Sequence, residues 1–280
     1  MKLVRYGQPG REKPGIVDAE GRIRDLSGVV PDIAGETLSP KGLVKIAKLK
    51  IERLPKVRPG VRLGPCVGGV GNFIAIGLNY SDHAAESGTQ VPAEPMVFNK
   101  APSCICGPND DTMIPKGSTK LDYECELAVV IGSRARYLTK SKAMDAVAGY
   151  CISNDVSERA FQLERGGSWD KGKSSETFNP LGPWLVTRDE VPDPQALEMG
   201  LDVNGERRQR GNTKTMIFDV KHLVWYLSQF LVLEPGDVIT TGTPPGVGLG
   251  MKPPVYLKDG DVMELWVQGL GKQRQVCRQA

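Results

Sequence analysis

One segment constrains the fold of this chain more than any other, residues 122–132, which read Asp-Tyr-Glu-Cys-Glu-Leu-Ala-Val-Val-Ile-Gly. The apolar run Leu127-Ala128-Val129-Val130-Ile131 predicts a central strand, covered by the rest of the protein. Side chains alternate along a strand, so Glu124 and Glu126 share one face. Two carboxylates that close repel, and ionising both is costly without a compensating cation. A hard divalent ion resolves the conflict by binding both; a solvated strand end with two ordinary acids is the plainer alternative.

Histidine is scarce, with two in 280 residues, His83 and His222, which argues against a histidine-rich zinc or copper centre. None of the six cysteines forms a CxxC, so neither zinc nor a disulfide framework is expected, and buried reduced thiols in a cytoplasmic protein are. Any metal is then oxygen-bound, which favours Mg²⁺, Mn²⁺ or Ca²⁺. A third acid, Asp155, ends an apolar run from Val147 and opens a helical segment. It reads either as a further ligand or as a helix N-cap.

Two more pairs sit at helical spacing. Arg159 and Gln162 project to one side, where they hold an oxygen-rich anionic substrate or simply decorate a wet face. His83 and Glu86 are neighbours if residues 79–86 are helical. A carboxylate beside imidazole fixes its tautomer and raises its basicity, which suits a general base that activates water; an exposed helix pair is the alternative. His222 falls on a helix read as packing.

Around these residues the chain divides at a Gly- and Pro-rich stretch, residues 58–71, into a small β-rich N-terminal domain, 1–70, and a larger domain, 71–280. In the first, short strands are expected near residues 3–6 and 14–18, then a helix capped by Ser39-Pro40 whose period runs through Leu43, Ile46, Ala47 and Leu54. In the second, strands are expected at 73–76, 95–98, 127–131, 237–241 and 262–267, a hairpin at Asn204-Gly205, and one helix face at Val220, Leu223, Val224 and Leu227. Many strands with few scattered helices predict an α+β fold with a mixed sheet. The sequence 167–174 matches GxxxxGK[ST], yet a polar helix precedes it and Pro180 follows, so a phosphate loop is rejected. A net charge of +3 announces neither a nucleic-acid nor a membrane partner, and no signal peptide or spanning segment is visible.

These pieces together resemble the fumarylacetoacetate hydrolase family. The residues that carry the resemblance are Gly77-Leu78-Asn79-Tyr80 with His83 and Glu86, Glu124-Cys125-Glu126, and Asn154-Asp155 with Arg159 and Gln162. Lys173 with Thr177, Pro180 and Gly182-Pro183, then Thr241-Gly242-Thr243-Pro244 with Gly246-Val247-Gly248, complete the set. The resemblance implies a mixed β-sandwich or roll catalytic domain, a homodimer, and Mg²⁺ or Mn²⁺ on Glu124, Glu126 and Asp155. It implies catalytic roles for His83, Glu86 and Lys173, and a pocket lined by Arg159, Gln162 and Thr243. Glu176 departs from the family, where an Asp is expected, and reads as turn support.

Residues 157–167 resemble the members acting on 2,4-dioxo-3-deoxy sugar acids. The implied reaction is hydrolysis of the C3–C4 bond of a small oxo acid, such as 2,4-didehydro-3-deoxy-L-rhamnonate, to pyruvate and a hydroxy acid such as lactate. Oxaloacetate decarboxylase, diene-dioate isomerase or hydratase, and ureidoglycolate-type lyase are the alternatives within the family, and a metal-stabilised scaffold is the alternative outside it.

Overall fold

In the computed structural model, which describes residues 1–88 and 90–280, the chain opens as an antiparallel meander of β1 (Lys2–Tyr6), β2 (Lys13–Val17) and β3 (Ile23–Asp25). Helix α1 (Pro40–Ala47) follows, with the Ser39 hydroxyl accepting from the Gly42 amide at 3.1 Å. The expected period to Leu54 overshoots. The Leu49 amide bonds back to Ile46, which tightens the last turn, and residues 51–53 form a separate 3₁₀ turn.

The remainder builds two large sheets and one two-stranded sheet. β4 (Phe73–Gly77), α2 (Ser81–Ser87), β5 (Met96–Lys100), β6 (Ile105–Cys106), β7 (Thr112–Ile114), β8 (Leu121–Asp122) and β9 (Cys125–Ile131) come first. β10 (Val147–Asn154), β11 (Ser157–Glu158), α3 (Arg159–Leu163), α4 (Asp170–Lys173) and β12 (Asn179–Thr187) follow. The chain ends with β13 (Glu198–Val203), β14 (Glu206–Asn212), α5 (Val220–Leu227), β15 (Val238–Thr240), β16 (Val262–Val267) and β17 (Gly271–Gln279). The large sheet runs β3-β2-β1-β12-β10-β9-β15-β4-β5, with β6 beside β12; the smaller runs β14-β13-β16-β17-β7. β15–β4, β12–β6 and β17–β7 are parallel and the other pairs antiparallel, so both sheets are mixed, as the α+β reading expected. Because β1 pairs with β12, the first strands extend the sheet of the larger unit, and the proposed division at residue 70 cuts across one continuous sheet.

The run opened on above is the middle of that sheet. Every residue of β9 and β10 is buried, so both faces are covered. The smaller sheet is braced to the larger by buried polar side chains. Gln273 donates to the Ile152 and Gly182 carbonyls at 2.9 and 3.0 Å, Asn154 donates to Gln275 at 3.1 Å, and the Cys125 amide donates to Gln209 at 2.9 Å. Each of these contacts is a made hydrogen bond between buried groups, which makes them tolerable in a dry interior. All six cysteines are free and buried, as expected. The Asn204-Gly205 hairpin is present, both residues having positive φ, 52° and 78°.

Candidate metal centre and its cavity

The antiparallel register of β9 and β10 assembles the acids. Asn154 stands opposite Cys125, so the next residue, Asp155, lands beside Glu124, whose carbonyl accepts from the Asp155 amide at 2.9 Å. Glu126 lies two positions along on the same face. One oxygen from each of Glu124, Glu126 and Asp155 comes within 4.8 Å of the others, and all three residues are buried. Asp155 is not a helix cap: Glu158 caps α3, accepting from the Phe161 amide at 2.7 Å.

Cations surround the cluster unevenly. Lys173, on α4, donates to Glu124 at 2.7 Å and to Asp155 at 2.8 Å. Lys100, at the end of β5, donates to Asp155 and to the Phe178 carbonyl, and it is 1% exposed. Arg159 donates to Glu124 at 2.6 Å, to the buried Asp122 at 2.8 Å and to Gln162 at 3.0 Å. Glu126 forms no ion pair among the described residues and accepts one backbone bond, from Gly242 at 2.9 Å. Burial alone would raise the pKa of Glu124, but Lys173 and Arg159 overcome it and hold the carboxyl down to about 2. Burial pushes Glu126 well above its ordinary range, and Asp155 and Glu124 push it further the same way.

This donor set fits a divalent ion. The oxygens are hard and converge, and Glu126 is a buried acid with no ion pair among the described residues. Loading should therefore displace a proton from Glu126, and the number released per ion should fall as pH rises through its raised folded value. Calorimetric titration with Mg²⁺ in buffers of different ionisation enthalpy measures that number; an enthalpy independent of the buffer would reject it.

The expected His83–Glu86 neighbours meet. His83 and Glu86 share α2, with Nδ1 and Oε2 at 3.2 Å, and the Glu86 carboxylate accepts from the Gly246 amide at 3.2 Å. Buried Asn79 ties the start of α2 to the Phe218 and Thr241 carbonyls at 3.0 and 2.8 Å. The next residue, Gly242, has φ 89°, and a Cβ there would come 2.9 Å from Asn79, so glycine is required where the backbone reaches Glu126. His83, Glu86, Glu124, Glu126, Arg159, Gln162, Lys173 and Thr243 all line one cavity of about 710 Å³, and Asp155 lies behind them. The Thr243 hydroxyl donates to the Cys125 carbonyl and accepts from Gln209, at 2.9 and 2.8 Å, so it fixes the strand between the two glutamates. His222 lies on α5 among aromatic rings, 5.1 Å from that of Phe218. Glu176 is exposed in the turn after α4, in keeping with turn support.

Sequence reasoning missed Lys100, Asp122 and Gln209. Asp122 accepts from Arg159 and from the Gly248 and Leu249 amides at 2.7 and 3.0 Å, which anchors the glycine-rich loop to the cluster.

A family model for the fumarylacetoacetate (FAA) hydrolase C-terminal region matches residues 72–278. A Burkholderia multivorans relative, which carries a provisional hydrolase name and no substrate, is 61% identical over the full length of both chains. Among solved structures, a fumarylacetoacetate hydrolase from Exiguobacterium antarcticum is 38% identical, covers all of both chains and has a TM-score of 0.85. A 5-carboxymethyl-2-hydroxymuconate delta-isomerase from Mycobacterium smegmatis is 32% identical over 100% of this chain and 99% of its own, with a TM-score of 0.79. A maleylpyruvate hydrolase from Sphingobium sp. SYK-6, determined with manganese(II) and pyruvate, is 28% identical over all of both chains with a TM-score of 0.82.

Proposed function

This chain belongs to the fumarylacetoacetate hydrolase family, and we propose that it is a metal-dependent hydrolase that cleaves the C3–C4 bond of a 2,4-dioxo acid and releases pyruvate. The observation that carries the reading is the convergence, in one cavity, of three carboxylates able to hold a metal with a histidine oriented by a carboxylate. The Sphingobium neighbour, with its manganese and pyruvate, supports both the ion and the product. The protein is read as a homodimer acting on a small oxo acid; no helix among the described residues is long and apolar enough to cross a membrane.

Glu124, Glu126 and Asp155 would hold Mg²⁺ or Mn²⁺, whose chemistry there is to draw electrons from the carboxylate and 2-oxo end of the substrate. His83, held by Glu86, takes a proton from water as the water oxygen bonds to C4. The C3–C4 electron pair then passes to C3, giving the enolate of pyruvate. Lys173, a buried ammonium beside Glu124 and Asp155, stabilises that charge. The proton on His83 returns to C3, and the acyl half leaves as a carboxylic acid.

His83→Ala should lower hydrolysis about 10²- to 10⁴-fold, the usual worth of a positioned base. Mg²⁺ binding should persist, as should decarboxylation of oxaloacetate, which needs no activated water. A coupled pyruvate assay with and without EDTA reads this out, and full hydrolysis by the variant rejects the role of His83. The delta-isomerase neighbour supports a second reading, proton transfer without cleavage. Isomerised product without pyruvate would establish it.

A further inference from the structure

We propose that the acyl half of the substrate is a bulky apolar group, alkyl or aryl, selected by Phe98, Trp169, Leu163 and Leu249. The inference rests on the 2,4-dioxo-acid reading and names the part of the substrate that reading leaves open.

The cavity is lined by two chemically different kinds of side chain. Around the acids the polar side chains are already engaged: Arg159 bonds Asp122, Glu124 and Gln162, and Thr243 bonds Cys125 and Gln209. The Lys173 ammonium lies 5.4 Å from the Phe98 ring centroid, and the Phe98 ring meets Trp169 edge-to-face at 5.3 Å. Trp169 is seated against Gly77, where a Cβ would come within 2.8 Å of its ring. Leu163 and Leu249 also line the cavity and stay 49% and 37% exposed.

Large apolar side chains left wet inside a cavity are regained when an apolar group covers them. A hydroxyl placed against the same wall loses water and finds little to bond, which costs affinity. Size points the same way. About 710 Å³ falls within the roughly 300–1,000 Å³ typical of drug-sized ligands, and a six-carbon acid would leave much of it to water. Lys252, exposed and lining the same cavity, is the cation that a distal carboxylate would meet.

The test is to measure binding by calorimetry and pyruvate release, on the Mg²⁺-loaded protein, for a matched panel. The panel is 2,4-dioxopentanoate, 2,4-dioxohexanoate, 5-hydroxy-2,4-dioxohexanoate, 4-phenyl-2,4-dioxobutanoate and an unsaturated 2,4-dioxo diacid. The phenyl acid should bind about tenfold or more tightly than 2,4-dioxopentanoate, the scale of a hydrophobic pocket's discrimination. The 5-hydroxy acid should bind more weakly than its 5-deoxy counterpart, and Leu163→Ser or Leu249→Asn should erode the phenyl preference. Tightest binding by the hydroxy acid or the diacid overturns the inference, as does binding by none. If acids bind in the expected order but none yields pyruvate, the hydrolase reading fails while the acyl preference stands.

Discussion

Glu126→Gln is expected to give a protein that no longer retains its divalent ion and releases pyruvate at about a hundredth of the parent rate or less, a loss at least as large as removing a metal ligand's outer partner causes. The same protein should unfold at a temperature no lower than the parent's. The reason lies in the uneven placement of the cations. Glu124 and Asp155 are each held by buried ammonium or guanidinium groups, so neutralising either strands a cation in the interior. Among the described residues Glu126 accepts only from the Gly242 amide, and a glutamine carbonyl accepts from it equally well.

The pH dependence has a definite sign. Burial, then Asp155 and Glu124, raise the folded pKa of Glu126 above its ordinary 4.5, so the folded protein keeps a proton that the unfolded chain gives up. Its contribution to stability is greatest below 4.5 and is lost as pH climbs from there through the folded value. Glutamine carries no such loss, so the melting temperature of the metal-free variant should gain on the parent as pH rises above 4.5 through the folded value. Thermal scans in EDTA measure the gap, and a variant that melts below the parent at the upper pH sinks the account. Mg²⁺ should raise the melting temperature of the parent and leave the variant where it was.

The second large effect belongs to Lys100. Lys100→Met should destabilise the metal-free protein by about 3 kcal/mol, the lower part of the range for breaking a buried ion pair, because Lys173 still faces Asp155. The Phe178 carbonyl also loses its donor. For a chain of this size that corresponds to a fall of very roughly 6–12 °C in melting temperature. Mg²⁺ should then recover more stability in the variant than in the parent, since one cation that competes for the acids has gone. Equal melting temperatures, or a smaller rise with Mg²⁺, would show that Lys100 does not hold Asp155.

What could be read from the sequence follows from the range of the interactions involved. Glu124 and Glu126 were legible because strand alternation acts over two residues, and His83–Glu86 because a helical turn acts over three. Asp155 needed the register of β9 against β10 and was open between ligand and cap until that pairing was seen. Lys100 reaches Asp155 across 55 residues and in the sequence is one lysine among many. The strand β17 was missed for a related reason, and β14 was implied only as the second arm of the Asn204-Gly205 hairpin. Their sequences are rich in Arg, Lys and Gln, and hydrophobic alternation does not mark strands whose inward positions are Gln209, Gln273 and Gln275. Those amides bond to the other sheet, which periodicity cannot show. Helix α1 failed in the opposite direction: Leu54 kept the period, but the helix had already ended in a tightened turn.

The acid end and the mouth of the cavity are built from different material. The ligands sit on, or one residue beyond, paired strands of the central sheet, where a slip of one residue would turn every side chain over. Leu163 closes a five-residue helix, and Leu249 sits in a 3₁₀ turn of the glycine-rich loop. For redesign, this separates what must be inherited intact from what can be shuffled: libraries confined to the mouth can retarget the enzyme while the chemistry is carried along unchanged. Divergence by descent would meet the same partition, with new diets arising at the loops and the reacting end passed down as a fixed part.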